Sequence, residues 1–179
     1  MSSSDLIRWG GLAAMLAGVA FIVLMLIPEG PPGSFLLYVL NSLVFIVAVL
    51  LLLVGLAGFH ALQKENYGRI GRGGLYTVIV AGITLILARV GLMSGSTALG
   101  FLNFLGLLGV MVGLVLYGAA TLQARVLPRW CGVGFIVGWP VTVALGDLGN
   151  VLFGLLWLAM GYVLWSRRGA ATEQPSRVR

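Results

Sequence analysis

The sequence predicts an all-α, polytopic membrane protein with six transmembrane helices, and three observations lead to this fold class. Of the 179 residues, 60% are hydrophobic and only 9% are charged, whereas soluble domains carry charge on about a quarter of their residues. The charged residues also leave uncharged stretches long enough for spanning helices, which need roughly 20 apolar residues each. These stretches lack the alternation of apolar and polar residues that a β-barrel requires.

Each uncharged stretch holds one span. The first could instead be a signal peptide, but its apolar run is long for that role and no convincing small-x-small cleavage site precedes Pro28. Two stretches include turn-like segments, at 30–34 and 94–100. We predict a single transmembrane domain over 1–168 and a flexible cytoplasmic tail over 169–179. The predicted spans are Trp9 to Ile27, Phe35 to Leu62, Gly73 to Met93, Ala98 to Leu122, Trp130 to Leu145 and Leu148 to Trp165.

The basic residues predict the orientation of these spans. All except Arg89 fall at the N-terminus, in the second and fourth loops, or in the C-terminal tail. The positive-inside rule places those segments, and therefore both termini, in the cytoplasm. The net charge of +6 is then a topology signal and not a sign of nucleic-acid binding. We expect a multi-pass protein of a prokaryotic cytoplasmic (inner) membrane with membrane lipids as partners.

An internal repeat is the most informative feature. The odd-numbered helices open on similar Gly-rich segments, led at spacings of 61 and 60 residues by Arg8, Arg69 and Arg129. An asparagine near the start of each even-numbered helix is found at Asn41, Asn103 and Asn150. The chain is therefore predicted to be one helical hairpin used three times, over about 8–63, 69–123 and 129–166, with the last copy truncated. Since every copy starts on the same side, the repeats are parallel.

The three asparagines are candidates for a polar cavity. Each is predicted in the outer third of the membrane, where an amide needs a hydrogen-bond partner. If the hairpins surround a common axis, Asn41, Asn103 and Asn150 could line an outward-open cavity that binds a solute. The alternative is that each caps its helix or bonds a neighbouring backbone carbonyl, and Asn150 sits where an N-cap would.

Arg89 is the other candidate for this solute site. It lies about four residues before the outer end of the third span, and a charge inside the membrane is expensive and suggests function with a partner nearby. Asp147 and Glu29 are the acids predicted at the same level, which makes outer-face ion pairs possible. A structural salt bridge, or snorkelling of Arg89 to the outer head groups, explains the position equally well.

Other repeated residues have packing or anchoring explanations. Arginine and tryptophan at a membrane interface anchor a helix through phosphate and head-group contacts. The predicted interfacial anchors are Arg8, Trp9, Arg129, Trp130 and Trp165. Two glycine pairs at small-xxx-small spacing, Gly109 with Gly113 and Gly134 with Gly138, favour close approach between helices.

Reactive groups are scarce, and this narrows the chemistry. His60 alone cannot supply paired haem or metal ligation, and Lys64 is predicted in a loop, away from a Schiff base inside the bundle. Cys131, as the single cysteine, cannot form an intramolecular disulfide. The segment Gly71 to Gly74 is interpreted as a basic loop and not as a phosphate loop. We predict no cofactor, no metal and no catalytic residue.

The segment Val126-Leu127-Pro128-Arg129-Trp130-Cys131-Gly132 resembles a Leu-Pro-Arg-Trp-x-Gly stretch of bacterial multi-span membrane proteins assigned to domains of unknown function. Cys131 departs from the bulky apolar residue expected at its position. The resemblance covers one loop and two helices, and it implies an integral membrane fold of prokaryotic type without bringing catalytic residues or a substrate.

Three function classes follow. The favoured one is a non-enzymatic membrane module, either an accessory subunit of a homo-oligomer or hetero-complex or a small binding protein. The alternative is a transporter or channel for a small or lipophilic solute, with Pro140 as a discontinuity in the fifth helix and Arg89 engaging an anionic group. The third is an intramembrane enzyme that acts on a lipid head group through Asp147, Arg89 and Glu29.

Overall fold

The structure is a computed structural model that describes residues 3–27, 34–66, 68–94 and 99–166. The described part is all-helical, as predicted. Its apolar runs form helices because a helix satisfies every backbone hydrogen bond internally. The six helices are α1 Ser3–Leu26, α2 Phe35–Gln63, α3 Gly68–Met93, α4 Gly100–Ala124, α5 Arg129–Leu145 and α6 Asp147–Ser166.

Five of these helices are long and apolar enough to cross a membrane, namely α1, α2, α3, α4 and α6. Helix α5 is also apolar but has only 17 residues. At about 1.5 Å per residue it measures about 25 Å, near the lower limit for a spanning helix. The described fold is therefore compatible with a membrane, and the sixth span stays a prediction.

The helices form a closed circle in chain order. Each packs against its sequence neighbours, and α6 closes the circle against α1. Neighbours run antiparallel: Gly11 and Gly18 of α1 meet Gly161 and Gly154 of α6, respectively. The contact between α1 and α6 is as extensive as those within the first two predicted hairpins, and the contact between α5 and α6 is smaller. The threefold repeat and the cytoplasmic termini stay predictions.

Two names distinguish the ends of the bundle. The cavity end contains Met93 and Asp147 and holds the cavity described in the next subsection, and the terminal end contains Gln63 and Ser166.

Glycines bring the helices into close contact. A Cβ atom on Gly10 of α1 would come 2.5 Å from the Cα atom of Gly58 in α2. The predicted small-residue pairs are also at helix contacts, since a Cβ on Gly113 would meet Val78 and one on Gly134 would meet Leu156. Close backbone approach of this kind maximises van der Waals contact where lipid provides no hydrophobic drive for association.

Aromatic side chains from five helices fill the interior of the bundle. Their rings meet edge to face with centroids 5.0 to 6.3 Å apart, a favourable geometry for aromatic pairs. This set, the aromatic column, consists of Phe21, Phe59, Tyr117, Phe135, Trp139, Phe153 and Trp157. All seven side chains are buried, so the column fills the centre of the described bundle.

Helix extends beyond the predicted spans at two places. Residues 71–74 lie within α3, which begins at Gly68, so the basic loop predicted at 71–74 is wrong and the span predicted from Gly73 begins five residues earlier. The physical reason is packing: a Cβ on Gly74 would come 2.7 Å from the backbone nitrogen of Tyr117 in α4. Asp147 is the first residue of α6 and not a loop residue, because Gly146 alone separates α5 from α6.

Candidate functional site

A cavity of about 490 Å³ lies at the cavity end, and all six helices contribute to its wall. Its volume falls within the range of about 300 to 1,000 Å³ that is usual for small-molecule sites. The apolar part of the wall includes Phe21, Phe45 and Leu107. The polar side chains that line it are Asn41, Arg89, Trp139, Thr142, Asp147 and Asn150.

Arg89 reaches this cavity from α3, one turn before the helix ends at Met93. Its guanidinium carbon lies 4.7 Å from the ring centroid of Phe45 in α2, a cation–π arrangement. The Nε atom is buried and has no hydrogen-bond partner among the described residues. The Nε atom and the contact with Phe45 thus place this part of the guanidinium inside the bundle, while the side chain as a whole is half-buried.

Asp147 lines the same cavity as Arg89, as the predicted pairing requires. The two residues are both described, and no ion pair joins their side chains. Asp147 is exposed at the start of α6. Glu29, the other predicted acid, lies outside the described residues. The cavity thus holds a cation and an anion that form no direct ion pair with each other.

Asn41 and Asn150 enter the cavity from α2 and α6 but differ in their bonding. The buried Asn41 donates from Nδ2 to the carbonyl oxygen of Ile27 at 3.0 Å, which is the bond to a neighbouring backbone carbonyl that the packing alternative expects. Asn150 is the fourth residue of α6 and not its N-cap, and its backbone N–H donates to the oxygen of Gly146. Its half-buried side chain faces the cavity.

Asn103 does not line the cavity. Leu107, one turn further along α4, provides that helix's contribution instead. The structure therefore brings together two of the three predicted asparagines, and the expected threefold set is incomplete. In its place, α3 supplies Arg89 and α5 supplies polar side chains.

Trp139 and Thr142 are cavity residues that the sequence interpretation missed. Trp139 is only 3% exposed, and its Nε1 atom has no hydrogen-bond partner among the described residues. Thr142 Oγ1 lies 3.0 Å from the oxygen of Gly138 and 3.4 Å from that of Gly149. Both residues flank Pro140 inside α5, so the helix discontinuity already noted in the sequence was the available signal.

Gly146 sets the geometry of this wall. Its φ of +56° and ψ of −124° lie in a region that only glycine adopts easily. The turn lets the Gly146 N–H donate to the oxygen of Thr142 while Asn150 bonds back to Gly146. This single residue therefore folds α6 back beside α5 and brings Gly149 against Thr142.

The remaining predicted residues lie at the terminal end or its surface. Arg8 and Trp9 are exposed near the start of α1, with the guanidinium carbon 5.8 Å from the indole centroid. The other three predicted anchors are also exposed, as an interfacial role requires: Arg129, Trp130 and Trp165. His60 and Lys64 lie at the end of α2, away from the cavity.

This arrangement is suited to binding. Arginine and an indole N–H donate hydrogen bonds, and the asparagine amide both donates and accepts. Asp147 is the one carboxylate in the described lining. Within residues 3–27, 34–66, 68–94 and 99–166, no group of three His, Cys, Asp or Glu residues could hold a metal ion.

The chain matches no family model, no curated protein and no solved structure at a significant level.

Proposed function

We propose that the protein is a non-enzymatic membrane binding protein whose cavity holds a small amphiphilic solute with an anionic group. The observation that carries this proposal is the buried, unpartnered Arg89 Nε inside a cavity that Trp139, Asn41 and Asn150 also line. Arginine matches the geometry of carboxylate and phosphate groups. The apolar wall around Phe21 and Phe45 suits a short hydrocarbon or aromatic part. With cytoplasmic termini, the cavity faces the outside of an inner membrane.

Transport is the second candidate function, and Gln63 is the observation that favours it. Gln63 is fully buried at the terminal end, one turn beyond Phe59 of the aromatic column, and neither of its amide atoms has a partner in the described chain. Polar groups thus lie on both sides of the column. A solute could pass along the aromatic column only if its side chains moved. Binding in the cavity is therefore the primary proposal, and transport is the second.

A matched ligand series tests the proposal. Hexanoate, hexylamine and hexanol share a chain length and differ in charge, and each is added to the purified protein in detergent. Hexanoate is expected to raise the Tm, because a ligand that binds only the folded state stabilises it. Arg89→Gln should abolish that shift.

Arg69→Gln is the control variant, because Arg69 is exposed on the same helix at the other end. Equal shifts with all three compounds, or a hexanoate shift that survives in Arg89→Gln, would contradict the proposal.

A further inference from the structure

A second candidate site lies on the outer surface of α3, and it joins a basic pocket to an apolar groove at Tyr76. The basic pocket, about 500 Å³, is lined by His60, Lys64, Glu65, Arg72 and Tyr76. The apolar groove, about 530 Å³, runs between α3 and α4 and is also lined by Tyr76. Neither feature shares a residue with the cavity beside Arg89, so this site is independent of the proposed function.

The basic pocket favours an anion. Lys64 follows the end of α2, and Arg72 lies in the second turn of α3; both side chains are exposed. Glu65 is the one acid in this lining, so the two cations leave a positive excess. Tyr76 adds a hydroxyl that can donate to a phosphate oxygen.

The groove favours a hydrocarbon chain. Val80, 65% exposed, lies one turn after Tyr76 and lines the groove with Leu102 and Leu105 of α4. The two threonines in its wall are satisfied within α3: Thr77 Oγ1 donates to Gly73 O and Thr84 Oγ1 to Val80 O, each at 2.9 Å. Gly109 has no side chain to fill the space.

These adjoining surfaces match the two parts of one molecule. We infer that the site binds an anionic phospholipid, with its phosphate between Lys64 and Arg72 and one acyl chain in the groove between α3 and α4. The charge of the pocket selects the anionic head group, and the shared Tyr76 makes pocket and groove continuous. Basic pockets between membrane helices bind phospholipid head groups in this way.

Native mass spectrometry of the full chain tests the inference. The protein is released from detergent with equal amounts of phosphatidylglycerol and phosphatidylcholine that carry identical acyl chains. Bound phosphatidylglycerol is expected to exceed phosphatidylcholine, and Lys64→Gln and Arg72→Gln should each reduce that preference about fivefold. Arg69→Gln is the matched control, since it removes an exposed arginine of α3 that does not line the pocket.

Two further arms identify the ligand source and the occupant. Glycerol phosphate, the head group without chains, is expected not to bind at the same concentration. Val80→Trp, which fills the groove, should reduce phosphatidylglycerol binding, whereas Val90→Trp places the same bulk at an exposed α3 position outside the groove and should not.

Three results would overturn the inference: a preference that Arg69→Gln lowers as much as Arg72→Gln, binding of glycerol phosphate as strong as that of the lipid, or a dimer that Val80→Trp converts to a monomer. The last would identify a second copy of the chain as the occupant of the groove.

Discussion

The guanidinium carbon of Arg89 lies 4.7 Å from the ring centroid of Phe45, so a cation at the cavity end rests on an aromatic face of α2. A cation–π contact contributes about 0.5 to 2 kcal/mol, depending on how far it is desolvated. Arg89 is half-buried, so only part of the several kcal/mol that full burial of an ion costs applies to it. An anionic ligand beside the guanidinium would add a favourable charge interaction, which makes the role of Arg89 open to measurement.

Arg89→Met separates a binding role from a structural one. Methionine is close to arginine in volume but removes the charge of this half-buried side chain, for which the described residues supply no ion partner. Replacing buried charged groups by apolar residues of similar volume is often neutral or stabilising. We expect the free energy of unfolding in mild detergent to stay constant or rise by about 1 kcal/mol, while the hexanoate-induced Tm shift disappears. A fall of about 3 kcal/mol or more would instead identify Arg89 as half of a structural salt bridge.

Trp139→Phe tests the indole N–H as a ligand donor. The substitution removes the unpartnered Nε1 and keeps an aromatic ring against Phe153, whose centroid lies 5.3 Å from that of Trp139. Binding of hexanoate, measured by calorimetry, should weaken about fivefold, which corresponds to one hydrogen bond of about 1 kcal/mol.

Trp157→Phe is the matched control for Trp139→Phe. Trp157 is equally buried and its Nε1 is also unpartnered, but it does not line the cavity. If both variants weaken binding alike, the N–H of Trp139 has no specific role.

Gly146→Ala should destabilise the wall of the cavity. No atom lies within 4 Å of a Cβ built on Gly146, so the cost arises from its φ of +56° alone. Such a conformation costs a non-glycine residue about 1 to 3 kcal/mol, and we expect the free energy of unfolding to fall by that amount. Gly100→Ala, at an equally open helical position without positive φ, should change it by less than about 0.5 kcal/mol. If Gly146→Ala and Gly100→Ala changed the free energy of unfolding equally, a side chain at position 146 would not strain the turn.

Gly10→Ala probes the contact between α1 and α2. The added Cβ would lie 2.5 Å from the Cα of Gly58, so the helices must separate, at a cost of about 1 to 3 kcal/mol for overpacking. Gly73→Ala offers the opposite sign, because nothing lies within 4 Å of its Cβ and alanine is the better helix former by about 0.5 to 1 kcal/mol. The free energy of unfolding is measured by denaturation in detergent. If Gly10→Ala were more stable than the parent, the contact between α1 and α2 would be looser than this geometry.

The sequence predicts the existence of the helices well because charge is excluded from the hydrocarbon region, and five of the predicted spans correspond to helices that are long and apolar enough to cross a membrane. Helix ends are less predictable. Gly74 lies in a Gly-rich, basic segment that is typical of a loop, and only its contact with α4 identifies it as a packing residue. Because the helices are apolar on all sides, the sequence does not show which face of each helix points into the bundle. Asn41 accordingly lines the cavity and Asn103 does not.

Polar atoms in aromatic side chains are hidden for a similar reason. Trp139 counts as apolar by composition, and the absence of a partner for its Nε1 in the described chain is visible only once its neighbours are placed. Arg89 and Asp147, by contrast, could be predicted because a charge next to an apolar run is costly wherever it points.

Gln63 supports a last prediction, about the far side of the aromatic column. Phe59 contacts Phe135 with ring centroids 5.4 Å apart; one turn towards the terminal end, Gln63 follows Phe59 on α2 and Cys131 precedes Phe135 on α5, and both are fully buried. A buried amide without partners costs about 1 to 3 kcal/mol, so Gln63→Leu should raise the free energy of unfolding by about that amount. Gln123→Leu, at an exposed position at the end of α4, is the control and should have little effect.

The same variant tests the transport alternative. If Gln63 also contacts a moving solute, Gln63→Leu will be more stable than the parent and yet defective in flux into proteoliposomes. A variant that is less stable than the parent would mean that the amide is satisfied by water or by residues outside the described chain, and the transport alternative would lose the observation on which it depends.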